Sequence, residues 1–176
     1  PIPIPTLEDL KNPLDEVIEP RATQEEMTNF IETELTESLK GLPTRTTQFG
    51  RFDKGLAYTI LMKYYMHEKN WAKAEECGRE LLKAEYGYGL MDRYADIFTL
   101  ENEGNKEIIF ACTEERGTNL QLWHDHALPG NYPTQNTAIQ KWDGYKVPWP
   151  FYRTFEEGDD RLSVLVGEYV GTDGVL

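Results

Sequence analysis

The stretch of residues 50–86 constrains the fold most, because it contains two amphipathic segments joined by a very short polar turn. In the first segment, at about 51–67, apolar residues recur every three or four positions, which is the period of a helix and not of a strand. The second segment, at about 71–83, keeps this period and follows Asn70, a residue that suits the start of a helix. The spacing therefore predicts an αα-hairpin.

The hairpin also has a distinctive choice of residue types. Tyr65, near the end of its first helix, is followed nine positions later by the small Ala74 on its second. This spacing resembles the tetratricopeptide repeat, and small residues such as Gly55 and Gly78 would let two helix backbones approach. A single hairpin cannot bury its own apolar face, so we expect the array to continue elsewhere in the structure or outside this chain. The aromatic residues expected in the hairpin core are Tyr58, Tyr64, Tyr65 and Trp71.

The segments around the hairpin predict a mainly α fold with long irregular loops and a short β segment. Thr23 and Glu26 have the spacing of a capping box, which predicts a helix that ends near Gly41. A helical turn is predicted at 93–98, and the apolar run at 106–113 is typical of a buried strand. We expect a single domain over the whole chain in three parts: an extended lead-in (1–22), a helical repeat core with the short strand (23–113) and a loop-rich aromatic region (114–176).

The charge of the chain argues against several classes of partner. Its 31 acidic and 18 basic residues give a formal net charge of −13, which repels nucleic acids and anionic lipid headgroups at long range. The sequence has no apolar run close to the length of about 18 residues that indicates a membrane-spanning helix. Its two cysteines lack metal-ligand spacing. The chain begins without methionine, and we expect it to be a piece of a longer protein.

The region after Glu114 loses the helical period and contains aromatic residues set among Gly, Pro, Asn and Gln. Binding sites are often found on loops of this kind. A sugar ring has apolar C–H faces and a belt of hydroxyl groups, so a saccharide site needs flat aromatic rings with polar side chains at their edges. The candidate ligand-binding residues are Trp123, Tyr132, Trp142, Tyr145, Gln121 and Asn131. The alternative is that these rings pack under a long loop as a satellite core.

Metal binding and catalysis have little support in the sequence. An extended His124-Asp125-His126 segment would point both imidazoles to one face, but no third ligand is evident nearby, so solvent-exposed or loop-bracing histidines are the alternative. The acidic segment 101–105 lacks the spacing of a calcium loop. The sequence contains no G-x-S-x-G, H-E-x-x-H or phosphate-binding glycine motif. We therefore expect no enzyme activity, no cofactor and no metal.

Short motifs in a fixed order cover most of the chain. Those of the hairpin and the segment after it are Gly50-Arg51, Lys54-Gly55, Ala57, Lys63, Tyr65, Trp71, Lys73-Ala74, Tyr88-Gly89-Leu90, Tyr94 to Phe98, Glu101-Asn102-Glu103 and Asn105 to Ala111. Together they resemble the SusD/RagB family of outer-membrane nutrient-binding lipoproteins. The helix expected at 21–42 and the downstream Phe155 and Asp160-Arg161 also fit that family.

The resemblance implies a non-catalytic protein built on tetratricopeptide-like hairpins, of which this chain is a central part. It would lie on the outer-membrane surface of a Bacteroidota-type bacterium, held there by an N-terminal lipid outside this chain. Its function would be to bind a nutrient, above all a glycan or oligosaccharide, and to deliver it to a SusC-like TonB-dependent transporter. The sequence leaves two other functions open: a tetratricopeptide-type scaffold that binds a protein or peptide through its hairpins, and a glycosidase.

Overall fold

The computed structural model describes residues 2–11, 20–114, 123–135 and 138–176. Helices hold 46% of these described residues, which confirms a mainly α chain. The chain forms two compact units, Pro1–Tyr88 and Gly89–Leu176. Within the described ranges, no helix is both long enough and apolar enough to cross a membrane. The expected three-part division of the chain stays a prediction.

The described part of the first unit contains the helices α1 (Leu7–Lys11), α2 (Gln24–Gly41), α3 (Lys54–His67) and α4 (Trp71–Leu81), and a 3₁₀ turn at Ala84–Tyr86. Helix α2 begins with the predicted capping box. The Thr23 hydroxyl accepts a hydrogen bond from the Glu26 N–H at 3.2 Å, and the Glu26 carboxylate accepts one from the Thr23 N–H at 2.7 Å. These bonds satisfy N–H groups that lack partners inside the helix. The predicted start and end of this helix are both confirmed.

Helix α3 begins later than the predicted residue 51, because Asp53 caps it in an extended conformation. The Asp53 carboxylate accepts hydrogen bonds from the N–H groups of Leu56, at 3.0 Å, and Thr46, at 3.2 Å. A side-chain oxygen at this position satisfies a backbone donor of the first turn. Helix α4 begins after Asn70 as predicted, and the Asn70 side chain accepts a backbone N–H at 3.3 Å.

The core of the first unit lies between α3 and α4. Its buried cluster is Leu61, Tyr65, Ala74 and Cys77, and the partly buried residues packed against it are Leu35, Leu39, Tyr58, Met62 and Tyr64. The predicted pairing of Tyr65 and Ala74 in one core is therefore confirmed. Helix α2 joins this core, and the Tyr64 hydroxyl donates to the Thr28 hydroxyl at 2.6 Å. The likeness to a tetratricopeptide repeat stays a prediction.

Trp71 lies outside this core, so its predicted place there is wrong. Its side chain is 62% exposed. The buried residues of α4 are Ala74, Cys77 and Leu81. At about 100° of rotation per residue, their common direction lies roughly 90° around the helix axis from Trp71. The hydrophobic period predicts the buried face of α4 correctly, but it also includes an aromatic residue that lies beside that face.

The chain after α4 packs aromatic rings against α3. Tyr86 is 1% exposed and stacks on Tyr88, with ring centroids 6.0 Å apart. Arg45 donates to the Tyr86 carbonyl at 3.0 Å. Gly55 adjoins Tyr88 so closely that a Cβ there would overlap the tyrosine hydroxyl. The absence of a side chain at Gly55 therefore admits the Tyr88 ring, whereas the sequence predicts that it admits a second helix.

The described part of the second unit consists of short elements: 3₁₀ turns at Tyr94–Phe98, Leu100–Asn102 and Asp160–Val164, helix α5 (Trp123–Ala127) and helix α6 (Trp149–Tyr152). The turn predicted at 93–98 is confirmed by the first of these. Among the described residues of this unit, only Asp125 and Gly171 are buried. Many of its large apolar side chains therefore contact solvent.

The strand predicted at 106–113 is wrong, because the described residues contain no strand there. A strand requires a neighbour whose backbone groups complete a ladder of hydrogen bonds. The Lys106 carbonyl accepts a bond from the Gly89 N–H at 3.0 Å. The Glu107 carboxylate accepts one from the Met91 N–H at 2.9 Å. No described segment pairs with the remainder as a strand, and an apolar run alone does not predict whether a partner strand lies beside it.

Candidate functional site

A loop at 140–145 folds back onto α5 through backbone hydrogen bonds. The Trp142 N–H donates to the Asp125 carbonyl at 2.5 Å, and the Tyr145 N–H donates to the His126 carbonyl at 3.0 Å. Helix α5 has five residues, and the last carbonyl groups of a helix lack partners within it. The loop therefore satisfies carbonyl groups that the short helix leaves open.

The buried carboxylate of Asp125 fixes the start of this loop. Asp125 is 9% exposed and accepts a hydrogen bond from the Gln140 N–H. A buried polar group without a partner destabilises a fold by about 1–3 kcal/mol, so this bond matters for the loop. Asp143 then turns the chain with a φ of 56°, a left-handed conformation that Asp tolerates better than most residues. Its N–H donates to the Leu128 carbonyl at 3.0 Å.

Four side chains of α5 and the loop form what we call the aromatic cluster: Trp123, His126, Trp142 and Tyr145. The ring centroids of Trp123 and Tyr145 lie 5.3 Å apart. The His126 ring lies 4.7 Å from the Trp142 ring and 5.2 Å from the Tyr145 ring, measured between centroids. These separations are typical of aromatic rings in contact. The structure thus brings together three of the predicted ligand-binding residues.

The three larger rings of the aromatic cluster are open to solvent. Trp123 is 58% exposed, Trp142 is 47% exposed and Tyr145 is 52% exposed. A satellite core under a loop would bury these rings. Their exposure therefore favours the binding interpretation over that alternative, because a ligand with an apolar face can still cover them.

Asn131 and Tyr132 lie in a second group, with Tyr169 at its centre. The centroids of the Tyr132 and Tyr169 rings are 4.9 Å apart, and the Asn131 side-chain oxygen accepts a bond from the Tyr169 hydroxyl at 2.6 Å. The Asn131 carbonyl also accepts the Thr172 N–H at 2.9 Å. Among the described residues, no ring contact joins this group to the aromatic cluster. The sixth predicted residue, Gln121, lies outside the described residues.

The sequence interpretation misses two residues of these groups. It treats His126 as a metal ligand or a loop brace, although its position three residues after Trp123 on a helix indicates that their side chains are neighbours. It does not single out Tyr169, whose partner Asn131 is 38 residues away in the chain. No local signal in the sequence predicts a contact at that separation.

The chemistry of the aromatic cluster is that of stacking and hydrogen bonding. An ion pair joins this loop to the residue that follows it, where the Lys146 ammonium is 3.1 Å from the Asp143 carboxylate. No group of three His, Cys, Asp or Glu side chains able to hold a metal ion occurs in the part of the chain that the structure describes. His124 and His126 therefore have no third ligand within that part.

Comparison of the chain with protein-family models, with curated proteins and with solved structures finds no match. The resemblance to the SusD/RagB family therefore depends on the order of the sequence motifs. A binding function is suggested separately by the contacts and exposure of the aromatic cluster.

Proposed function

We propose that the chain binds a glycan on the aromatic cluster and does not transform it. The observation that carries this proposal is the group of exposed rings, in which Trp123 contacts Tyr145 and His126 joins Tyr145 to Trp142. The apolar C–H faces of a sugar gain burial against such rings. With base stacking as a guide, each stacked ring contributes roughly 1–3 kcal/mol to binding.

Polar groups beside the rings suit a ligand rich in hydroxyl groups. The Asp143 side chain is 43% exposed and the Lys146 side chain is 70% exposed, so both reach solvent. An exposed ion pair of this kind adds little to stability, typically up to about 1 kcal/mol. Both groups are therefore available to accept from, or donate to, the hydroxyl groups of a bound sugar.

The wider role that we propose follows the SusD/RagB resemblance. The protein is then a nutrient-binding lipoprotein on the surface of the outer membrane, attached by an N-terminal lipid outside this chain. It passes its glycan to a SusC-like TonB-dependent transporter. The mainly helical chain is compatible with the helical architecture of that family. The transport step is supported by the motif order alone.

Calorimetry with the full-length protein and a panel of oligosaccharides tests the binding proposal. Trp123→Ala and Trp142→Ala each remove an exposed ring, so each should weaken glycan binding by roughly 1–3 kcal/mol. Trp149→Ala is the matched control. Trp149 is 68% exposed and belongs to α6, outside the aromatic cluster. Its replacement should leave the affinity unchanged.

Melting temperatures of the same variants separate a loss of binding from a loss of folding. Exposed rings leave no core cavity when they are removed, so stability should change by less than binding does. Two results would assign these rings a structural role instead: unchanged glycan affinity in both cluster variants, or a collapse of the melting temperature in both.

A second candidate function is a scaffold that binds a peptide through the helical hairpin. It is favoured by apolar surface where α3 and α4 meet, since Met66 is 50% exposed and Trp71 is 62% exposed. Amphipathic peptides bind through such apolar anchors. A selection from displayed peptides distinguishes the two functions. Trp71→Ala should then abolish peptide capture and leave glycan affinity unchanged. Trp123→Ala should leave peptide capture unchanged and weaken glycan affinity.

A further inference from the structure

A depression in the second unit borders the loop that carries Trp142. Its volume is about 450 Å³, and the described residues that line it are Pro133, Thr134, Gln135, Lys141 and Thr172. Sites for small molecules have volumes of about 300–1,000 Å³. Except for the proline, every one of these side chains carries a hydrogen-bond donor. The described lining thus contains a cation and no carboxylate.

Lys141 is the charged group of this depression. It is half-buried, and its ammonium group donates to the Tyr132 carbonyl at 2.9 Å. An ammonium group has three N–H donors, so two remain beyond this bond. No described carboxylate forms an ion pair with Lys141, whereas Lys146, just after the loop, pairs with Asp143 at 3.1 Å.

The carboxylates next to the walls of the depression have other partners. The Asp125 carboxylate accepts a hydrogen bond from the N–H of Gln140, the residue immediately before Lys141. Asp173 follows Thr172, and its carboxylate accepts from the Asn131 side-chain amide at 3.4 Å and from a backbone N–H at 3.2 Å. These bonds come from neutral N–H groups, so both carboxylates keep their charge, but neither is among the described residues that line the depression. The Lys141 ammonium is therefore the one charged group of the described lining, in a chain whose formal charge is −13.

We propose that this depression binds the anionic group of an acidic glycan, either a carboxylate or a sulfate ester, on the Lys141 ammonium. This inference rests on the proposed glycan binding by the aromatic cluster and makes it selective for acidic sugars. Lys141 directly precedes Trp142, and neighbouring Cα atoms are about 3.8 Å apart. The depression thus begins one residue from a ring of the aromatic cluster, and the proposal requires an oligosaccharide long enough to contact both. Hydrogen bonds between an ammonium and an anion are roughly twice as strong as neutral ones.

The acidic surface of the chain limits this recognition to short range. A net charge of −13 repels a polyanion over distances up to the Debye length, about 10 Å at 0.1 M salt. A densely charged polymer is repelled at every unit, but an oligosaccharide with one charged sugar meets that repulsion once. The ligand class is therefore a mostly neutral glycan that carries isolated acidic units.

Calorimetry with matched sugars on the full-length protein tests this inference. The probes are gluco-, xylo- and galacto-oligosaccharides, and each of these is prepared as two matched pairs. One pair compares an oligosaccharide that carries a single uronic acid with its methyl ester. The other pair compares an oligosaccharide that carries a single sulfate ester with its unsulfated form. The wild-type protein should bind the charged member of a pair roughly tenfold more tightly than the neutral member. The pair that shows this preference identifies which anionic group is recognised.

Variants of the lysine assign the preference to the depression. Lys141→Met should reduce the tenfold ratio to about one and leave the affinity for the neutral member unchanged, whereas Lys141→Arg should retain the ratio. Lys146→Met is the charge-matched control. It also removes a positive charge, and because Lys146 faces the hydroxyl groups of both sugars in the proposed function, it should change both affinities alike and retain the ratio. The comparison of charged with neutral sugars uses the wild-type protein alone. It therefore still tests the inference if K141M fails to fold.

The outcomes separate this inference from the proposed function. Equal wild-type affinity for both members of every pair overturns the inference, as does a preference that survives Lys141→Met. If the neutral members still bind and lose affinity with Trp123→Ala, glycan binding by the aromatic cluster stands without it. No binding of any sugar by the wild-type protein overturns both.

Discussion

The Trp142 indole meets the His126 imidazole nearly edge-on, at an interplanar angle of 75° and with ring centroids 4.7 Å apart. The same imidazole lies against the Tyr145 ring, at 5.2 Å between centroids. His126 is itself half-buried. Two exposed rings therefore contact a side chain that is itself less exposed than they are.

Replacement of His126 by alanine should weaken glycan binding, because Trp142 and Tyr145 lose the ring that orients them. Aromatic pairs contribute about 0.5–1.5 kcal/mol beyond their buried area, so the affinity should fall up to about tenfold. His126→Phe keeps an aromatic ring and should retain most of the affinity. Calorimetry measures both, with the exposed His124→Ala as control. Equal losses in the His124 and His126 alanine variants would contradict the positioning role.

Asp125→Ala should loosen the loop at 140–145. The variant removes the acceptor of the Gln140 N–H, which destabilises the local structure by roughly 1–3 kcal/mol. Asp125→Asn keeps a side-chain oxygen in the same place and should lose less. Hydrogen exchange at the Gln140 amide, followed by NMR, reports the difference as faster exchange in the alanine variant. Equally slow exchange in both variants would show that the bond does not hold the loop.

Gly55→Ala should destabilise the first unit, because the new Cβ overlaps the Tyr88 hydroxyl. Overpacking of this kind lowers the free energy of unfolding by about 1–3 kcal/mol. The matched control is Gly41→Ala at the end of α2, where an added Cβ would meet no described atom within 4 Å apart from the two neighbouring residues and the helix's own backbone. That change should be neutral or stabilise by up to about 1 kcal/mol. Urea unfolding of both variants gives the comparison.

A second change at Tyr88 shows whether the hydroxyl is the cause. This hydroxyl is buried and has no hydrogen-bond partner among the described residues. Tyr88→Phe should therefore be neutral or stabilising, since it removes a polar group that folding leaves unpaired. Combined with Gly55→Ala, it should restore part of the lost stability. If the stability changes of Gly55→Ala and Tyr88→Phe were strictly additive in the double variant, the overlap would not involve the Tyr88 hydroxyl.

The Asp159 carboxyl, which pairs with Arg161, should titrate at low pH. Hydrogen bonds from the Arg161 guanidinium and backbone N–H lower the pKa of the Asp159 carboxyl from its ordinary value of 3.8 to about 2. Because the pKa is depressed in the folded state, the stabilising contribution is present above pH 3.8 and is lost as the pH falls towards 2. Arg161→Gln should return this pKa towards its ordinary value. NMR titration of the carboxyl measures it, and the exposed Arg153→Gln should leave it unchanged.

Residues close together in the chain account for the parts of the fold that the sequence predicts. Thr23 and Glu26 cap a helix because they are three positions apart, and a helix fixes the geometry between such positions. The strand at 106–113 is wrong for the opposite reason, since it depends on a distant partner. Trp71 shows an intermediate case, because the helical period predicts a face but does not predict its edges.

The sequence predicts several residues of the candidate site, but it does not predict which of them contact one another. Trp123, Trp142 and Tyr145 are singled out for their aromatic rings and polar neighbours, which is a property of composition. Their contact through His126 depends on backbone hydrogen bonds between the loop and α5. Such bonds use groups that nearly every residue possesses, so they leave no signal in the sequence.

The loop that carries Trp142 and Tyr145 is attached to α5 by its own N–H groups. Every residue except proline supplies this group, so the side chains at both positions can be exchanged while the attachment remains. Position 143 is the exception, because its φ of 56° favours Gly, Asn or Asp. Substitutions at positions 142 and 145 can therefore alter the size and polarity of this exposed surface without redesign of the backbone that supports it. If the proposed glycan binding is correct, its specificity can change through few substitutions while the loop stays attached to α5.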